Sequence, residues 1–111
     1  MKRALVAEDD YIMQGIYREW LYKIEYTSDI VSTGRKMLSL ARSESYDIII
    51  TDMRMPDWSG EEGVGLTKIL GVKTPIICIT GYIEDYSLDI PMFSKPIKQE
   101  KFNEIILKYS L

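Results

Sequence analysis

Asp47-Ile48-Ile49-Ile50-Thr51-Asp52-Met53-Arg54-Met55-Pro56 is the stretch on which the fold turns. Three consecutive isoleucines, apolar and β-branched with no polar alternation, predict a strand covered on both faces, as the central strands of parallel sheets are. In such sheets ligands bind outside the carboxyl ends of the strands. Asp52 stands at that end and is therefore a candidate site residue. Taken alone it reads as an aspartate opening a turn before Pro56, so its weight depends on what the other strand ends carry.

Outward from this run, short apolar segments alternate with helical patterns, the sequence sign of an α/β fold with one parallel sheet. Arg3 to Ala7 reads as a first strand that runs into Glu8-Asp9-Asp10. From Tyr11 to Ile24, the residues Ile12, Ile16, Trp20 and Ile24 recur every four positions with Met13, Tyr17 and Leu21 alongside, predicting a helix with one broad apolar face. Tyr26 to Val31 is a weaker strand. Thr33-Gly34 opens a helix in which Met37, Leu38 and Ala41 can pack inward. After the isoleucine strand, a loop through Gly60 leads to a helical segment ending in Leu66, Ile69 and Leu70 before Gly71. Pro75 to Ile79 is a fourth strand delivering Thr80-Gly81, and Met92 to Ser94 a short fifth delivering Lys95-Pro96. Phe102, Ile105, Ile106 and Tyr109, at i, i+3, i+4 and i+7, mark the last helix. With no repeats or linkers, residues 1–111 are expected to form a single domain that stands alone.

Composition narrows the chemistry. A chain of 111 residues that is 46% hydrophobic and 28% charged suits one globular core. It has no apolar run near 18 residues and no signal-peptide succession, so a cytoplasmic location is expected. The single cysteine, Cys78, lies inside Ile76-Ile77-Cys78-Ile79 and reads as a buried structural thiol. The absence of histidine excludes imidazole acid/base catalysis and His-rich zinc sites, and a net charge of −3 offers no electrostatic reason to expect nucleic acid. Any chemistry must run on carboxylates, hydroxyls and lysine.

Parallel strands joined by right-handed crossovers place their carboxyl ends together. Glu8 and Asp9, Asp52, Thr80 and Lys95 therefore converge on one crevice. Three carboxylates sharing a partly desolvated cleft call for a cation, and hard oxygen ligands suit Mg²⁺, or Mn²⁺ in its place. Asp10 is a plausible cap for the first helix.

Val6-Ala7-Glu8-Asp9-Asp10, Asp52-Met53-Arg54-Met55-Pro56, Ile79-Thr80-Gly81 and Lys95-Pro96, each after its strand and in this order, resemble the motifs of response-regulator receiver domains, the phosphoacceptor modules of two-component signalling. The resemblance spans nearly the whole chain. It implies a doubly wound, flavodoxin-like sheet in the order 2-1-3-4-5, and a cis bond before Pro96 that aims Lys95 into the cleft. It implies that Asp52 accepts a phosphoryl group from a phosphohistidine on a sensor histidine kinase or a histidine phosphotransfer protein. Glu8, Asp9, Asp52 and the backbone carbonyl of Arg54 would then hold the metal, Lys95 would neutralise charge, and Thr80 would report the modified state. Such a domain is no enzyme beyond its own phosphorylation and dephosphorylation. Its output would pass to a downstream protein target, with no direct contact to nucleic acid or membrane.

Two departures from the family pattern concern that output. Only fifteen positions separate Thr80 from Lys95, about two helical turns fewer than receivers usually spend on their fourth helix. That helix is expected to be shortened or replaced by a loop, as in a receiver subgroup to which Thr80-Gly81-Tyr82 is similar. The family's aromatic switch position, three before the lysine, holds Met92. Tyr82 and Tyr86 are then candidates for part of its role, and Trp58 reads as a loop aromatic over apolar surface. The alternative from another class is a constitutive interaction module with a receiver-like fold that phosphorylation does not regulate. A phosphatase would require an acid where Arg54 stands, and no Gly-rich loop follows a strand to hold a nucleotide.

Overall fold

The isoleucine run forms the middle strand of a five-stranded parallel sheet. The computed structural model describes residues 1–58, 60–81 and 89–111, the side chains of 61 and 69 excepted. The elements run β1 (Lys2–Ala7), α1 (Tyr11–Lys23), β2 (Tyr26–Val31), α2 (Gly34–Ser43), β3 (Ile48–Thr51), α3 (Gly60–Ile69), β4 (Ile76–Thr80), β5 (Met92–Ser94) and α4 (Gln99–Tyr109). The sheet order is β2-β1-β3-β4-β5, the expected 2-1-3-4-5. Every residue of β3 and β4 is buried, whereas the edge strands β2 and β5 are only partly covered. The register aligns Val6 with Ile50 and Ile50 with Ile77, so successive strands end at one level.

Because side chains alternate across a strand, the sheet carries two cores. Ala4, Val6, Ile48, Ile50, Ile77 and Ile79 face Tyr17 and Leu21 of α1 and Phe102, Ile105 and Ile106 of α4. Leu5, Ala7, Ile49 and Ile76 face Met37 and Ala41 of α2 and Val64 of α3. The first core is rich in rings: Tyr17 stacks on Phe102 at 5.3 Å between centroids, and Trp20 packs on the same phenylalanine at 5.3 Å.

The helices depart from the expected faces in two places, in α1 and α2. In α1, Ile12 is 72% exposed although it heads the apolar series. A strict period of four drifts about 40° per step from a 3.6-residue helix, and Ile12 lies about 140° around the axis from Tyr17, the centre of the buried face. In α2, Met37 and Ala41 are buried but Leu38 is only half-buried. In α3, Gly63, Val64 and Thr67 form the inward face while Leu66 and Leu70 point outward. The inward face is possible because the Thr67 hydroxyl donates to the Gly63 carbonyl at 2.7 Å, leaving it satisfied although buried. Gly71 ends that segment at φ 78°, the left-handed conformation a glycine adopts cheaply after a helix.

Residues 82–88, to which Tyr82 and Tyr86 belong, lie outside the described residues. The expectation of a shortened fourth helix falls on them. On either side, Gly81, Asp89, Ile90 and Pro91 are not helical.

Two consequences of this packing can be measured. The Tyr17 hydroxyl is buried without a hydrogen-bond partner among the described residues. Tyr17→Phe is therefore expected to raise stability by about 1 kcal/mol or more, while Phe102→Ala, which opens a void beneath two rings, should lower it by roughly 3–5 kcal/mol. Urea midpoints decide both, and a lower midpoint for Tyr17→Phe would show that the hydroxyl is partnered. The Cys78 thiol is pushed up to about 12, chiefly by burial and secondarily by the Asp52 charge, with Lys95 acting the other way. It should resist iodoacetamide at pH 8 in the folded chain and react on unfolding. As the thiol ionises more readily unfolded, its contribution to stability is complete below the ordinary thiol pKa and is lost as pH rises above it.

Candidate functional site

The chain just beyond β1, β3 and β5 places five of the expected residues, Glu8, Asp9, Asp52, Arg54 and Lys95, around one cleft. Beyond β1 the ladder continues for one residue: the Glu8 N–H donates to the Val31 carbonyl, and the Asp52 N–H to the Ala7 carbonyl, both at 3.0 Å. These bonds fix two carboxylates on neighbouring strands. The chain then turns, because the Asp10 N–H donates to Glu8 Oε2 at 3.0 Å while Asp10 Oδ1 accepts from the Ile12 N–H at 3.0 Å and caps α1. Gln14 Nε2 donates to the Glu8 carbonyl at 2.6 Å. Lys95 leaves β5 with its N–H donating to the Thr80 carbonyl at 2.9 Å, and its bond to Pro96 is cis.

Lys95 Nζ lies 2.7 Å from Glu8 Oε1 and 2.6 Å from Asp52 Oδ2 and donates to both. The other oxygen of Asp52, Oδ1, accepts from the Met53 N–H at 2.6 Å. One carboxylate oxygen is thus tied to backbone and the other to an ammonium. Glu8, Asp9 and Asp52 each offer a carboxylate oxygen within 4.8 Å of the others. Glu8 and Asp52 are buried and Asp9 is exposed. The cleft has a volume of about 430 Å³ and is lined by these three residues with Asp10, Arg54, Gly81 and Lys95.

The charges reflect this crowding. Burial raises the Glu8 carboxyl above the usual carboxylate range, opposed by its hydrogen bonds from Lys95 and from the Asp10 backbone. Burial alone would lower the Lys95 ammonium, but hydrogen bonds to Asp52 and Glu8 outweigh it and hold the group above an ordinary lysine. Lys95 is therefore a permanent cation between two acids. A donor set of three carboxylates, two of them fixed by backbone bonds, fits a hard divalent cation such as Mg²⁺.

Of the residues singled out by sequence, Glu8, Asp9, Asp52, Arg54 and Lys95 share the cleft. Thr80 ends β4 fully buried, and Gly81 after it takes the place on the cleft wall. Met92 is half-buried in β5, opposite Cys78. Trp58 does more than cover apolar surface. It packs on the start of α2, where a Cβ on Gly34 would lie 2.9 Å from Trp58 Cε3. Its neighbour Asp57, not singled out by sequence, accepts from the Gly34 N–H at 2.8 Å and the Arg35 N–H at 3.1 Å. An Asp-Trp pair after Pro56, with a Thr-Gly helix start elsewhere, was the only available signal for that contact.

Residues 4–107 match the response regulator receiver domain family. The cell cycle response regulator CtrA of Brucella ovis is 36% identical over 91 residues, covering 77% of this chain and 37% of that protein. The transcription factor SKN7 of Candida albicans is 28% identical over 114 residues, covering 96% of this chain. The chain spans only about a fifth of the length of SKN7 and just over a third of CtrA. Among solved structures, the response regulator TrrA of Thermotoga maritima in complex with Mg(2+)-BeF superposes with a TM-score of 0.87 at 28% identity, over 97% of this chain and 98% of that one. With its sheet order, its acidic cleft and a match across nearly all its length, the chain belongs to the response regulator receiver domain family.

Proposed function

We propose that the chain is a phosphoacceptor in a two-component or phosphorelay system and that Asp52 carries the phosphoryl group. The observation that supports this most is the Lys95 ammonium held 2.6 Å from Asp52 Oδ2 and 2.7 Å from Glu8 Oε1. Phosphoryl transfer asks little covalent chemistry of a protein beyond alignment and neutralisation of charge on the transferred oxygens. The donor is a phosphohistidine of a sensor histidine kinase or a histidine phosphotransfer protein. Asp52 attacks phosphorus through a carboxylate oxygen; the new O–P bond forms as the N–P bond breaks, and the freed imidazole keeps the electron pair and takes up a proton.

Each residue has a defined task in this reading. The Met53 N–H orients the Asp52 carboxylate. Lys95 follows the developing negative charge, exchanging a carboxylate contact for a phosphoryl oxygen. Glu8, Asp9 and Asp52, with the Arg54 backbone carbonyl, hold a Mg²⁺ ion, or Mn²⁺ in its place, which when bound offsets the repulsion between the acid and the incoming anion. The Thr80 hydroxyl, buried at the end of β4, is the group through which phosphorylation reaches the neighbouring surface. The chain turns over no substrate besides its own phosphorylation and dephosphorylation. It works in the cytoplasm, and no described helix is long and apolar enough to cross a membrane. The output goes to a downstream protein target, with no direct contact to nucleic acid.

Incubation with Mg²⁺ and acetyl phosphate, read by intact mass, tests the reading. The parent chain should gain one phosphoryl mass that is lost on chelation of the metal before mixing, and Asp52→Asn should gain none. Equal mass gain in Asp52→Asn would move the acceptor elsewhere. No gain in a folded parent would favour a constitutive interaction module.

A further inference from the structure

The outer face of α2 has a charge opposite to the chain's own. Gly34-Arg35-Lys36-Met37-Leu38-Ser39-Leu40-Ala41-Arg42-Ser43 carries three cations and no acid, in a chain of net charge −3. An open groove of about 540 Å³ runs along this face, lined by Arg35, Leu38, Ser39, Arg42, Ser43 and Trp58. Arg35 and Arg42 are seven residues apart, so they stand on one side of the helix about 10 Å from each other along its axis.

Three features make the groove look built for an occupant. Arg42 is exposed and has no ion pair or hydrogen bond among the described residues. Arg35 has Asp57 within 3.7 Å, but both oxygens of that carboxylate already accept from the Gly34 and Arg35 backbone N–H groups. Its guanidinium keeps donors to spare, since it has five. Trp58 forms a fixed wall, packed against Gly34 on one part of the ring and with the Arg35 guanidinium 5.5 Å from its centroid.

We propose that the α2–Trp58 groove is a docking site for an extended acidic segment of a partner protein, carboxylates meeting Arg35 and Arg42 and an apolar side chain resting between Leu38 and Trp58. Guanidinium groups are suited to planar, bidentate recognition of carboxylates, and half-buried Trp and Leu supply the apolar anchor that charge pairs alone lack. Ser39, between the two arginines, and Ser43, next to Arg42, can donate to the backbone of the guest. A single nucleic-acid strand fits less well: the Trp58 ring is flanked by Gly34 and Arg35, a poor platform for base stacking. The site lies apart from the acidic cleft and does not depend on phosphorylation.

The test is fluorescence anisotropy of a labelled twelve-residue peptide of alternating glutamates and leucines with one central phenylalanine, titrated with the whole chain at low salt. Binding is expected, weakening roughly tenfold with Arg42→Glu and with a peptide whose glutamates are glutamines, as loss of a rim charge pair plus repulsion requires. Arg42→Glu alters an exposed side chain, and an unchanged thermal melt verifies its fold. The proposal is overturned by no binding, by equal affinity in Arg42→Glu, or by a single-stranded oligothymidylate that displaces the peptide at lower concentration.

Discussion

Three carboxylates cannot be brought to one cleft without a compensating charge, and the ammonium of Lys95 is that charge in this fold. Two like charges about 4 Å apart repel by roughly 4 kcal/mol at an effective dielectric near 20. Glu8 and Asp52 are buried, so solvent does little to relieve them, while exposure of Asp9 screens its share. Lys95 bridges the two buried acids with bonds of 2.7 and 2.6 Å. At the opposite edge of the sheet, Arg3 pairs with Asp29 and Glu44 at 3.0 and 3.3 Å. Those side chains are about two-fifths exposed, and such pairs contribute little. The two ends of the sheet thus differ in kind: one carries surface pairs, the other a desolvated cluster whose charge balance a metal or a phosphoryl group can alter.

The sheet is the device that makes the cluster possible. Strand ends level with one another bring Glu8, Asp52 and Lys95 together from positions up to 87 residues apart in the chain. Backbone bonds from Glu8 to Val31 and from Asp52 to Ala7 extend the ladder past the strands, so the acids are carried on sheet rather than on mobile loop. The loop that starts at Asp52 carries Asp57 and Trp58, which hold the first turn of α2 by two hydrogen bonds and a ring contact.

The strands and the cleft were legible because their signals are local and redundant. An isoleucine run reads as a covered strand, and acids or lysine at three strand ends, with a threonine at a fourth, converge once the strands are parallel. Helix faces were less legible. Ile12 belongs to a period-four series yet faces outward, since apolar identity does not say where along a drifting stripe the sheet lies. The face of α3 was not assigned by its sequence: Leu66 and Leu70 are exposed, while Gly63, Val64 and Thr67 turn inward, with threonine satisfying its hydroxyl inside the helix. The Asp57 contact to α2 depends on two segments more than twenty residues apart and has no periodicity, so no pattern exposes it.

The central claim, that Lys95 is the resident counter-ion of the buried carboxylates Glu8 and Asp52, is tested most directly by the Mg²⁺ dissociation constant of the parent chain and of Lys95→Met, measured by titration calorimetry under the same buffer. Without the ammonium, the carboxylates should hold Mg²⁺ roughly tenfold more tightly or better, a difference of about 1.4 kcal/mol. Equal or weaker binding by a folded Lys95→Met chain would contradict the account.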